Sequence, residues 1–393
     1  MSTVGQTQVE DKWFANVLQR MRSSRKKRRS TLKSNKAPPP TIIGIPAKSL
    51  VSIESDEILS TPQSELNSPS IPSTQQALTV AAKRKYALIN DFPTPWIQHP
   101  REVMVRNHAV ALNPIDWKSV DYNFCLPAFP WVTGRESAGV VVAIGTYYKD
   151  VRAGCFQEYV VLPEHTVTAI PSNMSFESAS CLGVGALTAA MTLWKWMDVP
   201  MTPSRRAQQR PPILIWGGGA VTGQFATQLA AKAGLPVIVV GSQRTKALLR
   251  GLGASHVVTR DGKTDAEIVA EVRAIAEDRI TRAIDLVGAS TVPFALQCLS
   301  ATDPAILAPL AMMASDQAIP DNVTVPNIEM KRFVLDEGSR VYSQELNALV
   351  ARDELRLPAV EVIEGGLGQV ERGLERLKSG KTDGKKLVVS LAR

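Results

Sequence analysis

The sequence predicts an α/β protein: a doubly wound parallel sheet, preceded by a smaller β-rich domain and by a basic amino-terminal tail. Three observations carry this. Residues 213–242 read as strand, glycine turn, helix and strand, the unit from which parallel sheets are built. Downstream, apolar runs around Val257 and at 283–288 alternate with helical patterns at 248–252 and 266–277, which continues the same winding. Upstream, apolar and alternating runs at 77–81, 103–110, 139–144 and 159–162 are broken by Pro, Gly and Asn, as in a domain of short strands.

Within the winding unit, Ile213 to Trp216 form an apolar run suited to a strand buried on both faces. Gly217, Gly218 and Gly219 remove every Cβ where the chain turns and approaches a ligand. Val221, Phe225 and Leu229 then fall one helical turn apart, and Gly223 lets that helix lie close on the strand. The helix ends at Gly234, and 236–240 make the next strand. Backbone N–H groups at the helix start, through Ala220, Val221 and Thr222, would stabilise a pyrophosphate together with the helix dipole. The spacing is not a strict G-x-G-x-x-G, so a purely structural turn is the competing reading. The end of the second strand weighs for a ligand. An NAD site usually has an acid there for the ribose 2′-hydroxyl, whereas this chain has Ser242, Gln243, Arg244, Thr245 and Lys246. A hydroxyl beside two cations suits a 2′-phosphate, so the expected cofactor is NADP(H), although solvated Arg and Lys also occur at helix starts without a ligand.

The chain has 393 residues, enough for two domains and a tail, and 44% are hydrophobic. With no uninterrupted apolar span of membrane length read in it, a soluble protein without a membrane partner is expected. Cys125, Cys155, Cys181 and Cys298 are scattered without metal-ligand spacing, which fits reduced thiols and a cytoplasmic location. The formal charge of +8 is concentrated in residues 1–75, which are rich in Ser, Thr and Pro. Such a composition buries too little apolar surface to offset its ordering entropy, and a disordered tail is expected, with room for a short helix at 12–21. Its run Arg25-Lys-Lys-Arg-Arg29 reads as a nuclear-import signal, as a nucleic-acid contact, or as a solvated tail with no partner. Glu10 and Asp11 weigh against a mitochondrial presequence, and no secretory apolar region is present. Further on, 173–196 reads as mostly helix with Ser175 as N-cap and Glu177 in the first turn. Helices follow near 345–352 and at 367–378, and the last strand is 386–391. His99, His108, His165 and His256 are isolated and read as structural.

Several stretches together resemble one family. Ala-Leu-Asn-Pro-Ile-Asp-Trp-Lys at 111–118, Gly-Arg-Glu-Ser-Ala-Gly-Val-Val-Val at 134–142, Phe-Gln-Glu-Tyr-Val at 156–160, the glycine turn at 217–223, Ser242 to Thr245, and the ending 377–388 occur in the order seen in medium-chain dehydrogenase/reductases. The branch it is similar to is the zinc-independent one, of quinone-reductase-like proteins and fungal trans-acting enoyl reductases of polyketide pathways. The resemblance covers about residues 76–393. It implies a GroES-like catalytic domain at 76–190, completed by 340–393, and a Rossmann NADP-binding domain at 191–339, with the active site in the cleft between them. Zinc-dependent relatives have Cys and His ligands where this chain has Pro114 to Asp116 and Arg135, so the resemblance implies no metal.

The implied chemistry is hydride transfer from NADPH to an activated alkene or a quinone, in secondary metabolism, on a small-molecule or carrier-bound enoyl substrate, with a polyketide synthase as a candidate partner. Lys118 is the expected contact to the nicotinamide ribose or the acceptor oxygen, with Asp116 orienting it; a structural pair at the domain seam is the alternative. Trp117, Thr188, Asp285, Gly288 and Lys385 are further implied cofactor contacts, and Tyr147 and Tyr148 are assigned no catalytic proton. Two departures stand out. Residues 149–154 join two strands almost directly where the family has another strand, which would leave ladder groups unpaired. Residues 315–342 are short for the last Rossmann strands. The rival function is an NADPH-binding regulator, or a nucleic-acid-binding protein using the basic tail, that keeps the fold without catalysis.

Overall fold

The computed structural model describes residues 71–144, 151–202 and 210–391. The expected tail features at 1–70, including the Arg25 to Arg29 run, and Tyr147 and Tyr148 lie outside these residues. The chain divides into two units, Met1–Pro72 and Ser73–Arg393, and the fold described here is that of the second.

The β-rich part is organised around β3 (Glu102–Ala111), a strand buried along most of its length. On one edge it pairs antiparallel with β5 (Ser137–Ile144), from Val103 opposite Ile144 to Val110 opposite Ser137. Its other edge is shared: β6 (Tyr159–Pro163) takes Glu102 to Arg106, and β14 (Lys386–Ser390) takes Ala109 to Ala111. Beyond β14 lies β13 (Val360–Ile363), in parallel. A second, three-stranded sheet has the order β2 (Lys85–Pro93), β1 (Thr74–Ala82), β4 (Trp131–Val132). The two sheets are tied where Leu78 N–H donates to the Phe156 carbonyl and Glu158 N–H to that of Gln76. Between them Leu78, Val110, Phe156, Leu374, Leu387 and Val389 close one core. The helix α1 (Pro114–Tyr122) and α9 (Val370–Lys378) cover it.

Of the segment 149–154, in which a missing strand is expected, residues 151–154 are described. Val151–Ala153 form one 3-10 turn, and β5 has no second partner among the described residues. Val140 and Val141, which point to opposite faces, are consequently 47% and 46% exposed. Arg152 turns inward from that turn and donates to both carboxylate oxygens of the fully buried Glu102, at 2.8 and 2.6 Å, and to the Trp96 carbonyl at 2.7 Å.

The parallel sheet has six strands in the order β12 (Val323–Thr324), β11 (Ala305–Pro309), β10 (Arg282–Asp285), β7 (Ile213–Trp216), β8 (Val237–Gly241), β9 (His256–Thr259). Its period of two sorts the side chains. Ile213, Ile215, Val237 and Val239 meet Phe225 and Leu229 of α3 (Val221–Lys232) on one face. Leu214, Trp216, Ile238 and Val240 meet Ile268 and Val272 of α5 (Asp265–Ala276) and Val292 of α6 (Val292–Cys298) on the other. α4 (Lys246–Gly251) joins β8 to β9. The segment short of strands ends the sheet in a two-residue edge, followed by α7 (Lys331–Leu335) and α8 (Arg340–Ala351).

One expectation is corrected. The helical stretch α2, Phe176–Trp196, has 21 residues and a mean hydropathy of 1.3, long and apolar enough by length and composition to cross a membrane. Its apolarity has another cause here: Leu187, Met191, Leu193 and Trp194 are buried in the core shared with α3 and α8. Ser175 caps it, accepting from Ser178 N–H at 3.2 Å. Two wide π turns, Leu182–Ala186 and Thr192–Trp196, flank its α-helical middle.

Candidate active site and nucleotide cleft

The glycine turn lies at the carboxyl end of β7. The Gly217 and Gly218 amides donate to the Val240 carbonyl, that of Ala220 to Gly217, and Gly217 takes φ +86°. The amides of Gly219, Val221 and Thr222 bond to no described residue, and Ala220 gives the α3 start no side-chain cap. A Cβ at Gly223 would lie 2.6 Å from Gly218 Cα, and one at Gly218 2.1 Å from Val239 Cγ1, so these two glycines let helix and turn touch. Bare amides at a helix N-terminus in a turn stripped of side chains suit a pyrophosphate.

Ser242, Gln243, Arg244 and Thr245 follow β8 beside this turn. Ser242 Oγ lies 3.2 Å from Thr245 Oγ1, and a Cβ on Gly219 would lie 3.3 Å from the Thr245 side chain, so the two segments adjoin. Arg244 is exposed and its Nη1 donates to Asp383 Oδ1 at 2.5 Å. An acid absent from the end of β8 does approach from elsewhere: Asp261 Oδ2 accepts the Gln243 amide at 2.6 Å.

Across the cleft, Lys118 on α1 reaches the doubly wound domain, its Nζ 3.5 Å from the Ala311 carbonyl in the segment after β11. Gly288, φ +133°, faces the same segment: a Cβ there would lie 3.9 Å from Ala311 Cβ. Lys118, Gly288 and Ala311 therefore meet at the seam. Val287, exposed, would touch a Cβ on Gly217 at 2.9 Å, which connects this group to the glycine turn. Thr188 sits on α2, half-buried, one turn beyond Gly185, where a Cβ would lie 2.9 Å from Val221 Cγ1.

Two of the expected residues, Asp116 and Asp285, are enclosed by other partners, and two, Trp117 and Lys385, remain partly exposed. Asp116 is fully buried, with Oδ1 accepting from Arg135 at 2.9 Å and Oδ2 from the Asn113 amide at 2.9 Å, so it locks the start of α1 and does not orient Lys118. Burial pushes its carboxyl above the usual range, and Arg135 offsets part of this. Trp117 packs into the core under α9, with the Lys118 and Lys378 ammonium groups 5.6 and 5.4 Å from its ring centre. Asp285 is enclosed: Oδ1 accepts from the Val287 and Gly288 amides and Oδ2 from Thr291 Oγ1 at 2.6 Å, which shapes the turn after β10 and leaves no face for a cofactor. Lys385 is half-exposed and lies 3.9 Å from Glu361.

The neighbouring Lys386 is the residue that sequence reasoning missed. Buried at the head of β14, its Nζ donates to Asn113 Oδ1 at 2.8 Å and pairs with Glu136 Oε1. Glu136, also buried, accepts from Asn113 Nδ2 at 2.9 Å and, through Oε2, from the Val184 amide at 2.5 Å. That last bond explains the first π turn of α2, whose widened ladder gives up an amide to the carboxylate. The network thus joins α1, β5, β14 and α2, the elements that carry Lys118 and Thr188. Its only sequence signal is a lysine opening the otherwise apolar strand Lys-Leu-Val-Val-Ser.

Among the described residues no group of three or more His, Cys, Asp and Glu side chains is placed to hold a metal ion. Two family profiles match in chain order: the alcohol dehydrogenase GroES-like domain at residues 99–154 and the zinc-binding dehydrogenase at 221–352. These matches, with the relatives and structures that follow, support a member of the medium-chain dehydrogenase/reductase superfamily. A relative, trans-enoyl reductase buaC of Petromyces alliaceus, is 28% identical over 358 residues, covering 81% of this chain and 97% of its own. Among solved structures, a quinone oxidoreductase of Pseudomonas syringae pv. Tomato DC3000 aligns with a TM-score of 0.69 at 21% identity over 81% of this chain and all of the other, 100%. Escherichia coli quinone oxidoreductase complexed with NADPH aligns at 0.65 and 19%, covering 80% and 99%. These structural likenesses establish the fold, a GroES-like domain beside a Rossmann sheet. The glycine turn adjoins Ser242 to Thr245 on one side and, through Val287 and Gly288, the segment that Lys118 reaches on the other.

Proposed function

We propose that the protein is an NADPH-dependent oxidoreductase that reduces an activated carbon–carbon double bond, as in an enoyl thioester, or a quinone. The observation that carries this is the uncapped turn from Gly217 to Gly223 with Arg244 and two hydroxyls, Ser242 and Thr245, at its side. NADPH, when bound, supplies a hydride to the acceptor. The amides of Gly219, Val221 and Thr222 hold the pyrophosphate, and Arg244 with Ser242 binds the 2′-phosphate. Lys118, already at the seam, places an ammonium where oxyanion character develops on the acceptor carbonyl. No zinc is needed in this reading, because Asn113, Pro114 and Arg135 bring neither thiolate nor imidazole and Asp116 is committed to Arg135. Names of relatives such as trans-enoyl reductase buaC favour an enoyl acceptor; we infer that it is small or carrier-bound, with a polyketide synthase as its source. The coverage of 97% of that relative's length supports carrying over the whole activity.

Fluorescence titration with NADPH and NADH tests the cofactor, and oxidation of NADPH with a panel of enones, enoyl thioesters and quinones tests the reaction. Arg244→Ala is expected to weaken NADPH about tenfold and leave NADH unchanged. An NADPH preference that survives the substitution would refute the phosphate contact, and no turnover with any acceptor would refute the reaction.

A further inference from the structure

The phosphate end of the cleft is crossed by a loop from the carboxyl-terminal part of the chain. Between α9 and β14 the backbone passes through Gly380, Asp383 and Gly384, all with positive φ of 71°, 49° and 76°. Gln224 of α3 donates its Nε2 to the Gly384 carbonyl at 2.7 Å and to that of Gly219 at 3.0 Å, so one side-chain amide ties the loop to the glycine turn. A Cβ on Gly384 would lie 3.3 Å from Gly219 O and 3.7 Å from Thr245 Cγ2, which places the loop directly over both phosphate-binding segments. Held there, Asp383 presents Oδ1 to Arg244 Nη1 at 2.5 Å, with the two side chains 63% and 74% exposed.

We propose that Asp383 is an internal occupant of the site for the cofactor's 2′-phosphate: its carboxylate satisfies Arg244 until a phosphate displaces it. The inference rests on the NADPH reading above. A carboxylate and a phosphate make the same charge-assisted bonds to a guanidinium, and while Asp383 holds Arg244 Nη1 a phosphate cannot take the same bond. Because the pair is exposed, its strength is small and the more highly charged phosphate prevails. The cost of parting the pair falls on NADPH alone, since NADH has no group to compete for Arg244. Asp383 therefore sets the margin of preference between the two cofactors, from a position far from Arg244 in sequence.

The test is a double-mutant cycle read by fluorescence titration of NADPH and NADH at low salt, on the full chain, with Asp383→Asn, Arg244→Ala and both together. Asn keeps the shape and tolerates the positive φ. Asp383→Asn is expected to tighten NADPH about two- to fivefold, to leave NADH unchanged, and to have no effect on NADPH in the Arg244→Ala background. Unchanged NADPH affinity in the single variant overturns the proposal while leaving the NADPH reading intact. Equal tightening with and without Arg244 also overturns it, because the carboxylate would then act by general repulsion. Absence of nucleotide binding in the unsubstituted protein removes the NADPH reading, and this inference with it.

Discussion

Asp285 shows how a residue at the edge of a cofactor cleft can be entirely structural. Its carboxylate accepts two backbone amides and one hydroxyl, yet burial outweighs them and raises its pKa to about 6. A folded-state pKa above the unfolded one means that the folded chain keeps the proton longer. Below about pH 4 both states are protonated and nothing is lost; between about 4 and 6 only the unfolded chain ionises, so stability falls as pH rises, by about 3 kcal/mol in all, and then stays level. Urea unfolding from pH 4.5 to 7.5 should show this fall in the wild type minus Asp285→Asn difference, and a difference independent of pH would refute it. The three buried thiols are kept protonated for the same reason, since burial pushes Cys155, Cys181 and Cys298 up to about 12.

At the scale of elements, the contact between α3 and the turn below it depends on one missing atom. With Gly218 Cα 2.6 Å from where a Cβ on Gly223 would be, Gly223→Ala must push helix and turn apart. The expected cost is about 1–3 kcal/mol in chemical denaturation, with a matching loss of nucleotide affinity; a variant of full stability that binds normally would contradict the close approach. This glycine was legible in the sequence because a strand buried on both faces, a turn and a helical period all agree around it. The strands β3, β5 and β6 were legible for the same reason. β2 was not: Lys85–Pro93 is largely exposed and carries little alternation, and its pairing with β1 makes it a strand. β4, two residues long, exists only through its bonds to β1. The site divides likewise. The glycine turn is local and could be read, whereas Asp116–Arg135, Lys386–Glu136 and Arg244–Asp383 are pairings made by tertiary contact, which no spacing announces.

In the second unit, and among the described residues, β5 has no partner on its outer edge. Unpaired ladder groups flanked by Val140 and Val141 invite pairing with another chain. Val141→Lys is expected to change unfolding by less than about 0.5 kcal/mol and to lower light scattering at high concentration; unchanged scattering would show that this edge is protected. The closed side has a different history. The strand that fills the gap beside β6 and brings the buried lysine is β14, encoded after the whole Rossmann sheet. Until β14 docks, β3 is half-paired and Glu136 and Asn113 lack their cation, although every strand of the Rossmann sheet precedes it in the chain. Substitutions that keep β14 from docking are therefore felt in the GroES-like half, and leave the parallel sheet its own pairings.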